Sequence, residues 1–315
     1  MKQTEQILFL EPVMKEVLWG GTRLRDDYHY AIPSEHTGEC WAVSAHDHGD
    51  CLVACGAYQG QTLSRLWKEH RELFGDMEGE RFPLLVKIID AKQDLSIQVH
   101  PDDEYAKQKE NGSFGKMECW YILDCDQDAS IVIGHHAKNK EEVAQMIHEG
   151  RFEAFIRTIP IKKGDFFQIN PGTVHAIKGG TLILETQQNS DITYRVYDYG
   201  RLTNGKPREL HIEKSIDVIQ APFEESAAVT KREIKQGQAM DREMLVTCKY
   251  YTVEKQDVHG NITMPQDKRF LIYSVIDGKG MIDGVTIKKG THFILPTGYG
   301  DFTLEGTMSL ICSYC

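Results

Sequence analysis

The sequence has no run approaching the roughly 20 consecutive apolar residues of a membrane-spanning helix, which excludes a helical membrane protein. It has no excess of positive charge either: 36 Lys and Arg stand against 47 Asp and Glu, for a net charge of -11. Nucleic-acid backbones are held by dense basic surfaces, so no nucleic-acid partner is expected. A small anionic substrate remains compatible, because a few local cations hold one phosphate inside an acidic protein. The eight cysteines show no repeated paired spacing, and the terminal Cys312-Ser-Tyr-Cys315 is a lone CxxC without a second pair, against a structural zinc ribbon. They read as reduced thiols buried as small hydrophobes. The stretch up to Gly21 lacks the apolar segment and small-residue cleavage site of a signal peptide, since Glu11 and Lys15 interrupt its one apolar patch. A cytoplasmic location is therefore expected.

Helical periodicity is also scarce. The clearest stripe runs over 140–157, where Val143, Met146, Ile147, Phe152, Phe155 and Ile156 recur at about 3.6 residues; a second covers 63–73. What is abundant is strand signal. Short β-rich runs at 82–90, 95–100, 119–123, 131–133, 166–169 and 182–184 are punctuated by Gly, Asp and Asn, as in an all-β sandwich or barrel.

The sequence also repeats itself. Ile161-Lys-Lys-Gly-Asp-Phe-Phe-Gln-Ile-Asn-Pro-Gly172 is echoed by Ile287-Lys-Lys-Gly-Thr-His-Phe-Ile-Leu-Pro-Thr-Gly298. Upstream, Tyr121-Ile-Leu-Asp124 is echoed more weakly by Ser274-Val-Ile-Asp277. The spacing between the two pieces is longer in the first copy by about the length of the 140–157 helix, as a helical insertion into one copy of a duplicated β-domain would produce. In both copies a charged turn leads into an alternating strand, and Pro and Gly then turn the chain back, as in a jelly-roll hairpin.

Gly164, five residues on Asn170-Pro-Gly172, and His175 after two more resemble the second motif of the cupins, with Asn170 where Pro is usual. Gly290 to Gly298 follows the same pattern with Pro296 in place, but Asp301 stands where the His would be. The first cupin motif, a His-x-His followed by a Glu, is resembled by Gln98-Val-His100 with Glu118 further on. Residues two apart on a strand share a face, so Gln98 and His100 are both able to face a barrel interior. The resemblance implies a metal shell of Gln98, His100, Glu118 and His175, and a donor set of one amide, two imidazoles and one carboxylate suits Zn²⁺ with room for substrate oxygens. It also implies a mainly β fold of two cupin-type jelly rolls: a catalytic domain over 1–225 with a helical insertion near 138–157, and a degenerate domain over 226–315 without metal. One zinc per chain is expected, the alternative being an unlike second site of Asp283, His292 and Asp301.

Longer strings resemble one cupin family, the type I phosphomannose isomerases in their short bacterial form. These are Leu95-Ser-Ile-Gln-Val-His-Pro-Asp-Asp-Glu104, Gly115-Lys-Met-Glu-Cys-Trp120, Asn170-Pro-Gly-Thr-Val-His-Ala176 and Glu185-Thr-Gln-Gln-Asn-Ser-Asp-Ile-Thr-Tyr-Arg-Val-Tyr-Asp198, with Trp19-Gly-Gly21 and Gly38-Glu-Cys-Trp41 towards the N-terminus. The implied activity is zinc-dependent interconversion of an aldose and a ketose phosphate, mannose 6-phosphate and fructose 6-phosphate, through a cis-enediol(ate). That reaction needs a polarised carbonyl, a stabilised enediolate and one shuttled proton. Arg195 falls where the family places its catalytic arginine, and a permanently charged planar donor suits a developing oxyanion. Glu185 and Lys116 are the acid/base candidates, between which the sequence does not choose. Ser96, on the face of Gln98 and His100, and Arg201, where longer relatives place a phosphate-binding lysine, are candidates for the substrate phosphate. Trp19, with Trp41 and Trp120, is a candidate wall of the sugar site. The partner implied is a sugar phosphate, with monomer and homodimer both open. Two rivals remain: an iron oxygenase using His100, Asp102 and His175, and a non-catalytic sugar-binding cupin.

Overall fold

The computed structural model describes residues 3–203, 205–225 and 233–315. Antiparallel sheets dominate it, and among the described residues no helix is long and apolar enough to cross a membrane. All eight cysteines are free thiols.

Two sheets from the first part of the chain face each other. The six-stranded one runs in the order Phe166–Ile169, Glu118–Cys125, Thr181–Gln188, Leu84–Ala91, Val13–Gly21, Thr37–Val43. The five-stranded one runs Ile156–Pro160, Ser130–His135, His175–Ile177, Ile97–Val99, Tyr194–Tyr197. Side chains alternate faces along a strand. Ile89, Trp120, Ile122 and Ile183 therefore meet Ile131, Ile133 and Ile177 of the opposite sheet in one buried layer. The other face of the six-stranded sheet, with Val86, Ile88, Tyr121 and Leu184, packs on Val253, Ile272 and Ile311 of a third sheet.

That third sheet has ten strands and is built mainly from Ile234–Lys235 through Asp301–Tyr314, with its own inner core around Val275, Phe293 and Leu310. The strand Leu8–Glu11 pairs with His292–Leu295, so the beginning of the chain extends the sheet formed by its end. The repeat is visible as register. Ile169 opposes Glu118 in one copy, and Leu295 opposes Leu271 in the other, the pairing that the echoed strings require.

The stripe over 140–157 forms two helices rather than one, Lys140–His148 and Phe152–Phe155. Asn139 caps the first, its side chain accepting from Glu142 N at 2.9 Å. Gly150, at φ 67°, ends it in the left-handed conformation that glycine adopts without strain. Gly150 N then donates to Ile147 O and Arg151 N to Met146 O, satisfying the last carbonyls. The 63–73 stripe likewise divides, into Leu63–Glu69 and a 3₁₀ turn Arg71–Phe74. The helices Asp103–Lys109 and Ile212–Val218 carry weaker periodicity and were not expected from the sequence.

Candidate active site

The inner face of the six-stranded sheet is apolar except where the alternation of three neighbouring strands turns charge inward. Lys87 precedes Ile89 on its strand by two residues, Glu118 precedes Trp120, and Glu185 follows Ile183, so all three share the buried layer. The pairing sets Lys87 opposite Glu185 and Glu185 opposite Trp120. Across from them, the five-stranded sheet places His175 opposite Gln98 and Gln98 opposite Arg195, one rung over three strands. Cross-strand partners on one face stand close enough to act together.

Four of these side chains converge. His100 Nε2 lies 3.1 Å from His175 Nε2, and the Glu118 carboxylate lies 3.4 Å from the first and 3.3 Å from the second. The Gln98 amide nitrogen is 3.2 Å from His175 Nε2, and a half-turn about the last torsion brings its oxygen to the same place. Tautomers follow from the partners. Thr173 O, 2.9 Å from His175 Nδ1, only accepts, so Nδ1 carries the proton and Nε2 a lone pair. The Lys116 ammonium, 3.0 Å from His100 Nε2, only donates, so that nitrogen also offers a lone pair. Burial, then the Lys116 charge, pushes the His100 imidazole down to about 3. Burial lowers His175 as well. Burial opposes charge on Glu118, but Lys116, His100 and His175 hold its carboxyl well below the usual range. Glu118 Oε1 has no hydrogen-bond partner among the described residues. Two neutral imidazoles, an ionised carboxylate with an orphan oxygen and an amide, all aimed at one point, fit a divalent cation. His100, Glu118 and His175 form a buried group able to hold a metal.

The cluster borders a cavity of about 210 Å³ lined by Trp19, Trp41, Ser96, Gln98, Lys116, Glu185 and Arg195, among others. Glu185 Oε2 accepts from the Trp120 indole at 2.8 Å, and its Oε1 is 3.5 Å from Lys87 Nζ. Burial, reinforced by the Glu118 charge, pushes the Glu185 carboxyl up. Arg195 Nε has no partner among the described residues, and burial followed by the Arg208 charge lowers its guanidinium.

Of the residues expected from the sequence, Trp19, Trp41, Ser96, Gln98, Lys116, Glu185 and Arg195 line the cavity, and His100, Glu118, His175 and Trp120 adjoin it. Arg201 does not line the cavity. Its guanidinium is taken by the Asp198 carboxylate and the Asp94 carbonyl, and Arg208 lines the cavity in its stead. Lys87, Glu39, Asp191 and Arg208 also line it and were missed by sequence reasoning. Lys87 left a signal, as a lone charge within the apolar run Leu84-Leu-Val-Lys-Ile-Ile89. Asp102 is not gathered with the two histidines: its carboxylate caps the helix Asp103–Lys109, accepting from Tyr105 N at 2.8 Å. That removes the carboxylate the oxygenase reading needs.

Elsewhere, His46, His48 and Asp191 make a more exposed cluster at the cavity's edge, with His48 Nδ1 2.5 Å from the Asp191 carboxylate. Of the alternative trio in the C-terminal sheet, His292 has both ring nitrogens engaged by hydroxyls, Tyr30 at 2.8 Å and Ser274 at 2.9 Å. Asp283 accepts from Tyr299 and from Thr303 N.

Comparison with known proteins brings the pieces together. Residues 7–121 match the family described as phosphomannose isomerase type I, catalytic domain, and residues 241–315 match mannose-6-phosphate isomerase, cupin domain. Mannose-6-phosphate isomerase ManA of Bacillus subtilis is 51% identical over 99% of both chains. Mannose-6-phosphate isomerase of Streptococcus mutans is 45% identical over 98% of both. The crystal structure of the mannose 6-phosphate isomerase from Bacillus subtilis superposes with a TM-score of 0.96 at 50% identity, over 98% of this chain and 99% of that one.

Proposed function

Since the chain belongs to the type I phosphomannose isomerases, we propose that it interconverts mannose 6-phosphate and fructose 6-phosphate with one Zn²⁺ held by Gln98, His100, Glu118 and His175. The observation that carries this reading is the convergence of those four side chains on the wall of a cavity that also holds Arg195 and Glu185. Two imidazoles select a borderline ion over Mg²⁺ or Ca²⁺, and zinc brings no redox chemistry to a reaction that needs none. When bound, the ion would supply a Lewis acid to polarise the sugar carbonyl.

The chain's own residues do the rest. Arg195, half-buried with an unpaired Nε, donates to the oxygen that gains charge as the cis-enediol(ate) forms. Glu185 moves the proton between C2 and C1. Burial raises its carboxyl towards the range in which a group both takes and returns a proton, and the Trp120 indole fixes its orientation. Lys116 neutralises Glu118 and orders the imidazole of His100. Ser96, with Arg208 in the place expected of Arg201, receives the phosphate at the cavity's edge. Trp19 and Trp41 wall the sugar and exclude water. The working division is a catalytic unit over 1–225 and a supporting unit over 226–315 into which Leu8–Glu11 is threaded. A cytoplasmic location suits a phosphorylated substrate and eight free thiols.

The test is a coupled assay for fructose 6-phosphate formed from mannose 6-phosphate by the purified chain. Turnover that is abolished by a chelator and restored by zinc is expected. Absence of turnover in the zinc-loaded protein overturns the reading.

A further inference from the structure

The four side chains proposed for the metal come from the first part of the chain, yet a hairpin of the C-terminal sheet reaches what supports them. The strands Met240–Thr247 and Thr252–Val258 are joined by residues 248–251, with Cys248 N donating to Tyr251 O at 2.9 Å. Two neighbouring tyrosines of this turn send their phenols to different places. Tyr251 is buried, and its hydroxyl accepts from Gln168 Nε2 at 3.1 Å. Gln168 opposes Cys119, the residue after Glu118. Tyr250 donates its hydroxyl proton to Asp103 Oδ2 at 2.7 Å. Lys249 sets that direction, because its ammonium only donates and lies 3.4 Å from the same hydroxyl oxygen.

From Asp103 the bonds lead to Lys116. Asp103 Oδ1 accepts from Gly115 N and from Gln188 Nε2, each at 2.9 Å. With its amide nitrogen on that carboxylate, Gln188 turns its Oε1 to Met117 N, which donates to it at 2.9 Å. Between the two, Lys116 N donates to Pro101 O at 3.0 Å. Three consecutive amides are thus held, two of them by way of Asp103. A Cβ on Gly115 would lie 2.4 Å from Asp102 C and 2.5 Å from Asp103 N, so only glycine lets this segment press onto the start of the helix Asp103–Lys109. Burial opposes charge on Asp103, but the bonds from Tyr250, Gln188 and Gly115 hold its carboxyl below its ordinary value, as suits an ionised acceptor with three donors. Lys116 is buried with its ammonium between His100 Nε2 and Glu118, so a shift of the backbone at 115–117 carries that charge with it.

We propose that Tyr250 and Asp103 are positioning residues for Lys116: through one phenol, the C-terminal unit sets the carboxylate that aligns the Gly115–Met117 backbone, and with it the ammonium beside His100 and Glu118. The part Lys116 plays in turnover rests on the isomerase reading, whereas the hold on its backbone does not.

The experiment pairs two measurements on the zinc-loaded full chain: isomerase kcat and KM, and amide hydrogen exchange across residues 114–118. Tyr250→Phe removes one hydroxyl and leaves the ring. It is expected to lower kcat by about tenfold, the low end of what losing a supporting partner costs, with KM for mannose 6-phosphate unchanged. Exchange should quicken at Gly115–Met117 and keep its wild-type rate in the strand Leu84–Ala91. Asp103→Ala should lower kcat by up to about 100-fold. Asp103→Asn, which keeps an oxygen for Gly115 and Gln188, should recover most of that loss. Adding Tyr250→Phe to Asp103→Ala should cost nothing further, since both act along one path. Unchanged kcat in both single variants overturns the proposal, as do additive losses, or exchange that quickens throughout the chain with a matching fall in Tm. Should Asp103→Ala fail to fold, Tyr250→Phe decides alone. If the wild type turns over no sugar phosphate, the isomerase reading fails, and the exchange measurement by itself decides whether Tyr250 and Asp103 position Lys116.

Discussion

The Nε2 lone pairs of His100 and His175 meet 3.1 Å apart inside the protein, each fixed by what its ring or its partner donates. Two acceptors at that distance repel unless a cation lies between or beside them, and Glu118 adds a negative charge to the same point. His175→Ala is expected to lower zinc occupancy and to reduce turnover by at least about 100-fold, beyond the cost usual for loss of a residue that only supports a ligand. Metal analysis of the purified variant beside its kcat checks this. Full occupancy with normal turnover would remove His175 from the metal shell.

Arg195 stands one strand beyond Gln98 on the same rung, and among the described residues its Nε has no hydrogen-bond partner. Arg195→Ala should therefore lower kcat by on the order of 10²-fold, as when a preorganised donor is lost, with zinc content and Tm little changed. A fall in Tm matching the fall in rate would assign it to structure.

Lys87 is buried between Glu39, at 3.7 Å, and Glu185, at 3.5 Å. Removing one partner of a buried ion cluster leaves uncompensated charge, so Lys87→Met should cost about 3–5 kcal/mol in stability. It should also raise the Glu185 carboxyl further, since a nearby cation that favoured the ionised form is gone. The acid limb of the kcat–pH profile is then expected to move to higher pH. An unmoved limb would show that Glu185 does not carry the proton.

How far the sequence foretold this site depends on what each residue's neighbours are. Gln98, His100, Glu118 and His175 were expected from resemblance to the two cupin motifs, and strand alternation added only that Gln98 and His100 share a face. Lys87 was missed because its importance lies in the strand paired beside it, which places Glu185 opposite, and pairing is a long-range fact. The place of Arg201 was hidden for a similar reason: only the folded loop shows that Arg208, and not Arg201, lines the cavity, with Asp198 bonded to both. The addition of Leu8–Glu11 to the C-terminal sheet joins the two ends of the chain and leaves no periodic mark. The single helix expected over 140–157 failed on Gly150, a breaker that the apolar stripe outvoted.

Asp198 ties Arg201 and Arg208 together, with Arg208 bonded at 2.7 Å through both Nε and Nη2. Burial pushes its carboxyl up, but the bonds from Arg208 and Arg201 outweigh that and hold it below its ordinary value. The sign follows: its folded value lies below the unfolded one, so its stabilisation is complete above about pH 4 and is lost as pH falls through the folded value. Asp198→Asn should cost about 1–3 kcal/mol near neutrality. The gap to wild type in denaturant midpoint should close on acidification. A gap independent of pH would place the effect in packing rather than charge.

One tightly held zinc per chain is the last expectation, and three places on the protein bear on it. The C-terminal sheet has Leu271 where the first copy has Glu118, and its one buried imidazole, His292, has hydroxyls on both nitrogens. The edge cluster of His46, His48 and Asp191 has the residue types of a metal site but the wrong tautomer for one. The His48 N–H donates to His46 Nδ1 at 3.1 Å, so in the neutral ring the proton sits on Nε2 and points at Asp191, 3.5 Å away. An ion there would have to displace that proton and break the backbone bond, while at His100 and His175 both lone pairs already face the site. Dialysis against a weak chelator, followed by metal analysis, should leave one ion per chain. His48→Ala should keep that ion and His100→Ala should lose it. A second ion that survives dialysis and disappears with His48 would show that the edge cluster rearranges to bind metal.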